Sequence, residues 1–209
     1  MNDDGLVSEL SPSLSPSLSP SLPSLAATTA LIKARRTNLR IDADREVDPA
    51  LLAQLCALAA WAPNHHLTEP WRFSVITGEA RAELGRRTAD YVISGGMTDD
   101  ERLAKVRGKY LRAPVMVMVG CASAADSPES VRVEDRDAVA SGVQNMLLGA
   151  TAAGLCSFWG TGPVTDAPEV KALCGFASAD TIVAALYIGW PVGEVPVPQR
   201  QDAVIHWVS

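Results

Sequence analysis

Three guanidinium side chains, Arg35, Arg36 and Arg40, fall within six residues of a chain whose formal net charge is -6 and whose pI is near 5.0. Thr37 sits among them. Arginine offers a planar fork of donors that matches phosphate oxygens, and a threonine hydroxyl adds one more, so the block suits a phosphate. A solvated basic helix end, favourable against the helix dipole, is the plainer reading of the same residues. A second group occupies Trp61-Ala-Pro-Asn-His-His-Leu-Thr-Glu-Pro-Trp-Arg-Phe73, where Pro63 and Pro70 bracket Asn64, His65, His66, Thr68 and Glu69. Proline fixes φ and disfavours helix in the residue before it, which predicts a rigid corner. Polar groups on such a loop can bind or react, or can simply satisfy a turn. Gly160-Thr161-Gly162, after Trp159, is a third and weaker signal, since a lone G-x-G is usually a turn.

Other chemistries find no pattern. His65 and His66 are adjacent and expected to point apart, His206 is distant, and neither H-E-x-x-H nor Cys/His spacing marks a metal. No G-x-S-x-G, G-x-G-x-x-G or phosphate-loop motif occurs. Cys56, Cys121, Cys156 and Cys174 lie far apart without a C-x-x-C pair and read as reduced packing residues of a cytoplasmic protein. The acidic balance argues against nucleic acid or an anionic membrane surface as partner. No run of about 18 apolar residues suggests a membrane span.

The elements that must position these groups follow from pattern. Residues 1–25 repeat Ser-Pro-Ser-Leu three times and read as a disordered tail, leaving 26–209 as one domain. A helix is expected from Ala26, capped by Thr28 or Thr29, delivering the arginine block at its end. Asp48-Pro49 opens a second helix with Leu51, Leu52, Leu55, Leu58 and Ala59 as its buried stripe. That helix feeds the proline-bounded corner, and a strand runs out from Trp71 to Thr77. Helices are expected over Glu79–Tyr91 and Met97–Lys109, the second a charged, exposed excursion resembling a lid. Ala113–Cys121 and Thr181–Gly189 are continuous apolar runs, hence inner strands. Between them come an acidic loop, Asp126–Glu134, and the longest helix, Asp135–Gly154. Ala138, Ser141, Gly142, Asn145, Gly149 and Ala152 give that helix a small-residue face for another helix, of the same chain or of a symmetry mate. A short strand near Leu155–Trp159, a helix from Thr165 to Leu173 and an extended arm at Ala203–Val208 complete the chain. Strands separated by helices indicate an α+β, three-layer α/β/α domain with a central mixed sheet.

Four blocks, in order, resemble the nitroreductase family of FMN-dependent oxidoreductases, in its compact subgroup. They are Arg35–Arg40; Ala62–Phe73; Gln144–Leu155 leading to Trp159–Gly162; and Ile188-Gly-Trp-Pro191. The resemblance implies a homodimer with two FMN sites at the subunit interface. It implies that Arg35, Arg36 and Thr37 hold the phosphate, ribityl chain and part of the ring, with Arg35 or Arg40, the nearest substitute for the basic residue that relatives place at Leu39, serving the ring's N1–C2=O side. It further implies that Asn64 and His65, with Trp61 before them, come from the other subunit, that Trp159, Gly160 and Thr161 line the ring edge, and that Arg200 meets the phosphate. Three departures stand out: Leu39 replaces a basic residue common in relatives, and Leu67 and Glu69 replace amides. The implied activity is ping-pong hydride transfer from NADH or NADPH, through flavin N5, to a small oxidised acceptor such as a nitroaromatic or quinone, with His65 or solvent supplying a proton. A flavin-sequestering protein without turnover, and a flavin-free interaction protein, are the competing expectations.

Overall fold

The computed structural model describes residues 22–124 and 126–208. Most of the Ser/Pro tail, residues 1–21, therefore lies outside the described residues. Its end does not: Ser24 accepts a hydrogen bond from the Ala27 N–H and caps α1, Leu25–Ala34. The helix thus starts before Ala26, and the cap is Ser24 rather than Thr28 or Thr29. Helix α2, Pro49–Ala59, begins as its sequence dictates, with the Asp48 carboxylate accepting from Ala50 N–H and proline in the first turn. Strand β1, Trp71–Ile76, follows the corner, then α3, Ala80–Ser94, and α4, Asp100–Gly108. A 3-10 turn over Lys109–Arg112 leads into β2, Val115–Cys121. Helix α5, Glu129–Ala152, begins inside the stretch expected to be an acidic loop. Acidic residues at a helix start are favourable against its dipole, and Pro128 immediately precedes them. Strand β3, Cys156–Gly160, two short helices, α6, Pro163–Asp166, and α7, Pro168–Leu173, and β4, Thr181–Gly189, follow.

The four strands are ordered β1-β2-β4-β3, and every pairing is antiparallel. Among the described residues, the parallel component expected of a mixed sheet is confined to a bridge between Thr37 and Ser157. Alternation along β2 divides the core. Val115, Val117 and Val119 face α2 and α5, whereas Met116 and Met118 face the layer of α3, α6 and α7. Every residue of β2 is buried, as expected of a strand covered on both faces.

Two glycines set how closely helices approach. A Cβ on Gly142 of α5 would stand 2.7 Å from the Ala59 carbonyl oxygen, so the small-residue face receives α2 of the same chain. It is therefore not free for a symmetry mate at this point. A Cβ on Gly85 of α3 would lie 2.1 Å from the Arg107 carbonyl oxygen of α4. With Leu103 and Tyr110 buried, α4 is docked against α3 rather than a lid standing off the domain.

Candidate functional site

The arginine block leaves α1 and runs beside β3. Asn38 N–H donates to the Ser157 carbonyl at 3.0 Å, and Val192 N–H donates to the Arg40 carbonyl at 2.8 Å. The pairing brings Arg35, Arg36 and Thr37 to a cavity of about 250 Å³ closed by Val195, Pro196, Pro198 and Arg200. Arg200 lies far away in sequence, and the proline-rich ending brings it back to the block. Arg36 Nη1 donates to the Arg35 carbonyl at 2.8 Å, while its Nε is buried with no hydrogen-bond partner among the described residues. None of the three arginines is ion-paired to a described carboxylate. A buried donor without an acceptor is costly unless a ligand supplies one. Three guanidiniums and a hydroxyl around one cavity fit a phosphate.

Arg40 is placed otherwise. Its Nη1 donates to the Glu194 carbonyl at 3.2 Å, and its side chain does not line this cavity. The preceding residue, Leu39, instead lines a neighbouring cavity of about 380 Å³. Its other walls include Phe158, Trp159, Gly160, Thr161 and Tyr187, together with Lys109 and Arg112. Sequence reasoning missed these two cations because they lie at the end of a segment read as an exposed excursion. Phe158 meets Tyr187 edge to face at 5.4 Å, and Tyr187 stacks on buried Tyr110 at 6.2 Å, so the aromatic wall is braced from behind. Burial pushes the Tyr187 phenol up to about 12 against the opposing charge of Arg112, which keeps it protonated near neutrality.

The proline-bounded corner is built mostly by its own side chains. Asn64 Oδ1 accepts from Glu69 N–H at 2.8 Å, and Asn64 Nδ2 donates to the His65 carbonyl and Thr68 Oγ1, each at 3.1 Å. The Asn64 amide is therefore spent holding the loop. Thr68 Oγ1 donates to buried Asp135, whose other oxygen accepts from Ser123 at 2.8 Å. His66, Leu67 and Glu69 have φ of 63°, 50° and 49°, left-handed values that cost non-glycine residues roughly 1–3 kcal/mol each. That backbone turn also places adjacent imidazoles on one side. His65 and His66 stack at 3.9 Å, and their nitrogens approach Glu134 at 3.0 and 3.5 Å. They do not point apart as expected, and with Glu134 they form a three-group cluster whose polar atoms lie within 4.8 Å of one another. Because Glu134 accepts from His65 Nδ1, a neutral His65 presents Nε2 as an acceptor. Trp61, at the start of the loop, is 85% exposed.

The two groups do not meet within one chain. The corner precedes β1 at one edge of the sheet, and the arginine block lies along β3 at the other. Three inter-strand spacings separate those edges, roughly 14 Å. Among the apolar side chains left exposed are Trp61, Leu67, Val204, Ile205, Trp207 and Val208, and α1 has no buried residue.

The nitroreductase family model matches residues 32–190. Escherichia coli K12 YdjA, named among the NAD(P)H nitroreductases, is 31% identical over 156 residues, covering 73% of this chain and 84% of its own length. The crystal structure of a nitroreductase-like family protein from Bacillus cereus superposes with a TM-score of 0.70 at 26% identity, covering 88% of this chain and 94% of that one. A nitroreductase with bound FMN from Bacteroides fragilis shares the fold, with a TM-score of 0.69 at 22% identity over 87% of this chain and 98% of that one.

Proposed function

The chain belongs to the nitroreductase family, and from that premise we propose that it is an FMN-dependent oxidoreductase that uses NADH or NADPH to reduce a small, flat acceptor such as a nitroaromatic or quinone. The observation that carries the reading is the arginine cavity: an unpaired, buried Arg36 Nε beside Arg35, Thr37 and Arg200, adjoining an aromatic-walled cavity. Arg35, Arg36 and Arg200 would hold the phosphate, and Thr37 would add a hydroxyl donor. Trp159, Gly160 and Thr161 would border the ring. The chemistry FMN supplies when bound is two-electron transfer from reduced nicotinamide to the acceptor, in two half-reactions sharing one pocket.

We place the working site between two copies of the chain. The corner and the arginine block sit at opposite sheet edges, so a site using both draws them from different subunits. The exposed apolar arm around Trp207, α1 with no fully buried residue and exposed Trp61 support a partner surface. In that arrangement His65, its tautomer set by Glu134, is positioned to hold a proton at Nε2. Among the described residues no helix is long and apolar enough to cross a membrane. All four cysteines are unpaired, as suits a reducing cytoplasm.

The test is an absorbance spectrum of the purified protein followed by anaerobic titration with NADH and NADPH. A yellow protein that bleaches on adding either nucleotide supports the assignment. A colourless protein that ignores added FMN, or a flavoprotein that neither nucleotide reduces, contradicts it.

A further inference from the structure

The proline-bounded corner brings two imidazoles and a carboxylate to one point, a combination that neither the arginine cavity nor the aromatic wall uses. His65 Nδ1 and His66 Nε2 approach the same oxygen of Glu134, Oε2, at 3.0 and 3.5 Å. The ligand atoms of the three groups lie within 4.8 Å of one another. The histidines belong to the loop and Glu134 to the second turn of α5, so the fold alone makes them neighbours and no spacing motif marks them. We propose that His65, His66 and Glu134 form a binding site for one divalent transition-metal ion of the zinc class.

Hydrogen bonding and ion pairing leave the cluster half explained. Glu134 accepts from His65, but at 3.5 Å the His66 contact is too long for a good hydrogen bond. An ion pair employs one ring only, because two charged imidazoles stacked at 3.9 Å would repel. His66 is nevertheless turned toward the carboxylate by a left-handed φ of 63°. A metal ion uses all three groups. Zinc bonds of about 2.0–2.1 Å in tetrahedral array put neighbouring ligand atoms roughly 3.3–3.4 Å apart, a spacing that the 3.0 and 3.5 Å separations bracket. Two imidazole nitrogens favour zinc, cobalt or nickel over magnesium and calcium, which take oxygen ligands. All three side chains are at least 40% exposed, so the rings can turn to aim their lone pairs without disturbing the core.

Ligation has a consequence for His65. Without metal, Nδ1–H donates to Glu134 and Nε2 is the acceptor. With metal on Nδ1, the proton resides on Nε2, which becomes a donor. The ring can then no longer take up a proton there, so the ion would switch off the role given to His65 above. That switch rests on the proposed function; the metal site does not.

Calorimetry with zinc chloride on the full-length, untagged protein as purified tests the site. One ion per chain is expected. Affinity should fall at least about tenfold in His66→Ala and in Glu134→Gln, since even partners outside the ligand set matter on that scale. It should be unchanged in His206→Ala, whose imidazole lies outside the cluster. Proton–nitrogen correlation NMR of the imidazoles should find His65 protonated at Nδ1 before zinc and at Nε2 after it. Absence of binding, binding that His66→Ala and Glu134→Gln leave intact, or a His65 proton that stays on Nδ1 overturns the site. If Glu134→Gln does not fold, the exposed His66→Ala and the spectrum of the unaltered protein decide. A yellow protein reduced by NADH that ignores zinc refutes only the metal site. A colourless one that binds zinc in this pattern refutes only the flavin reading.

Discussion

Replacing Arg36 by methionine should separate ligand binding from folding, because the two depend on this side chain in opposite directions. In the protein alone, Nη1 is satisfied by the Arg35 carbonyl at 2.8 Å, whereas Nε is buried and unpaired. Methionine removes that unpaired donor and keeps much of the packing volume. An unsatisfied buried donor costs about 1–3 kcal/mol, so the FMN-free variant should be as stable as the parent or slightly more stable. A bound phosphate would gain at least one charge-assisted hydrogen bond from the same Nε. Losing a bond of about 1.5–3 kcal/mol should weaken FMN binding roughly 10- to 150-fold. Thermal unfolding of the FMN-free protein measures the effect on stability, and fluorescence titration of the same material with FMN measures the effect on binding. If FMN binds within twofold of the parent, or the FMN-free variant melts well below it, Arg36 is a structural residue and the phosphate assignment fails.

Gly85→Ala should undock α4, because its methyl would meet the Arg107 carbonyl oxygen 2.1 Å away; hydrogen exchange should rise across 100–112, and unchanged protection there would contradict the packing. Asp135→Ala strips the acceptor from both Thr68 and Ser123. The expected cost is about 2–4 kcal/mol in denaturant unfolding, with proteolysis of the corner at residues 64–69 as its local sign, and an unchanged midpoint contradicts the anchor. Burial pushes the Cys156 and Cys174 thiols each up to about 11. Their folded pKa lies above the unfolded one, so the stability they contribute is complete below the ordinary thiol value and is lost as pH rises through about 11. Thiol reagents should therefore leave both residues unlabelled at neutral pH in the folded protein, and rapid labelling there would count against their burial.

The core was the most legible part of the sequence, because continuous apolar runs have few places to go. Strand β4 occupies the span its composition indicated, and α2 begins at its Asp-Pro signal. The start of α5 was harder to read because Glu129–Glu134 looks polar enough for a loop, although Pro128 and the acidic first turn were available as signals. The small-residue face of α5 was visible, but not which helix it receives, since packing partners are a tertiary property. In the candidate site, Arg35, Arg36 and Thr37 were marked by local density of charge, whereas Arg200 was named only through family likeness; the fold brings all four together. Arg40 carried the same local signal and is directed elsewhere by the Glu194 carbonyl. Lys109 and Arg112 carried none, since two cations after a charged helix look like surface until β3 and β4 place aromatic rings opposite them. The convergence of His65, His66 and Glu134 depends on a left-handed residue that no glycine announced.

Sedimentation of the protein monitored through the flavin absorbance band, across a dilution series, tests most directly whether two copies build each site. Flavin should sediment with a dimer at one FMN per chain and be released as dilution yields monomer. Flavin that stays with a monomer at full affinity would contradict it.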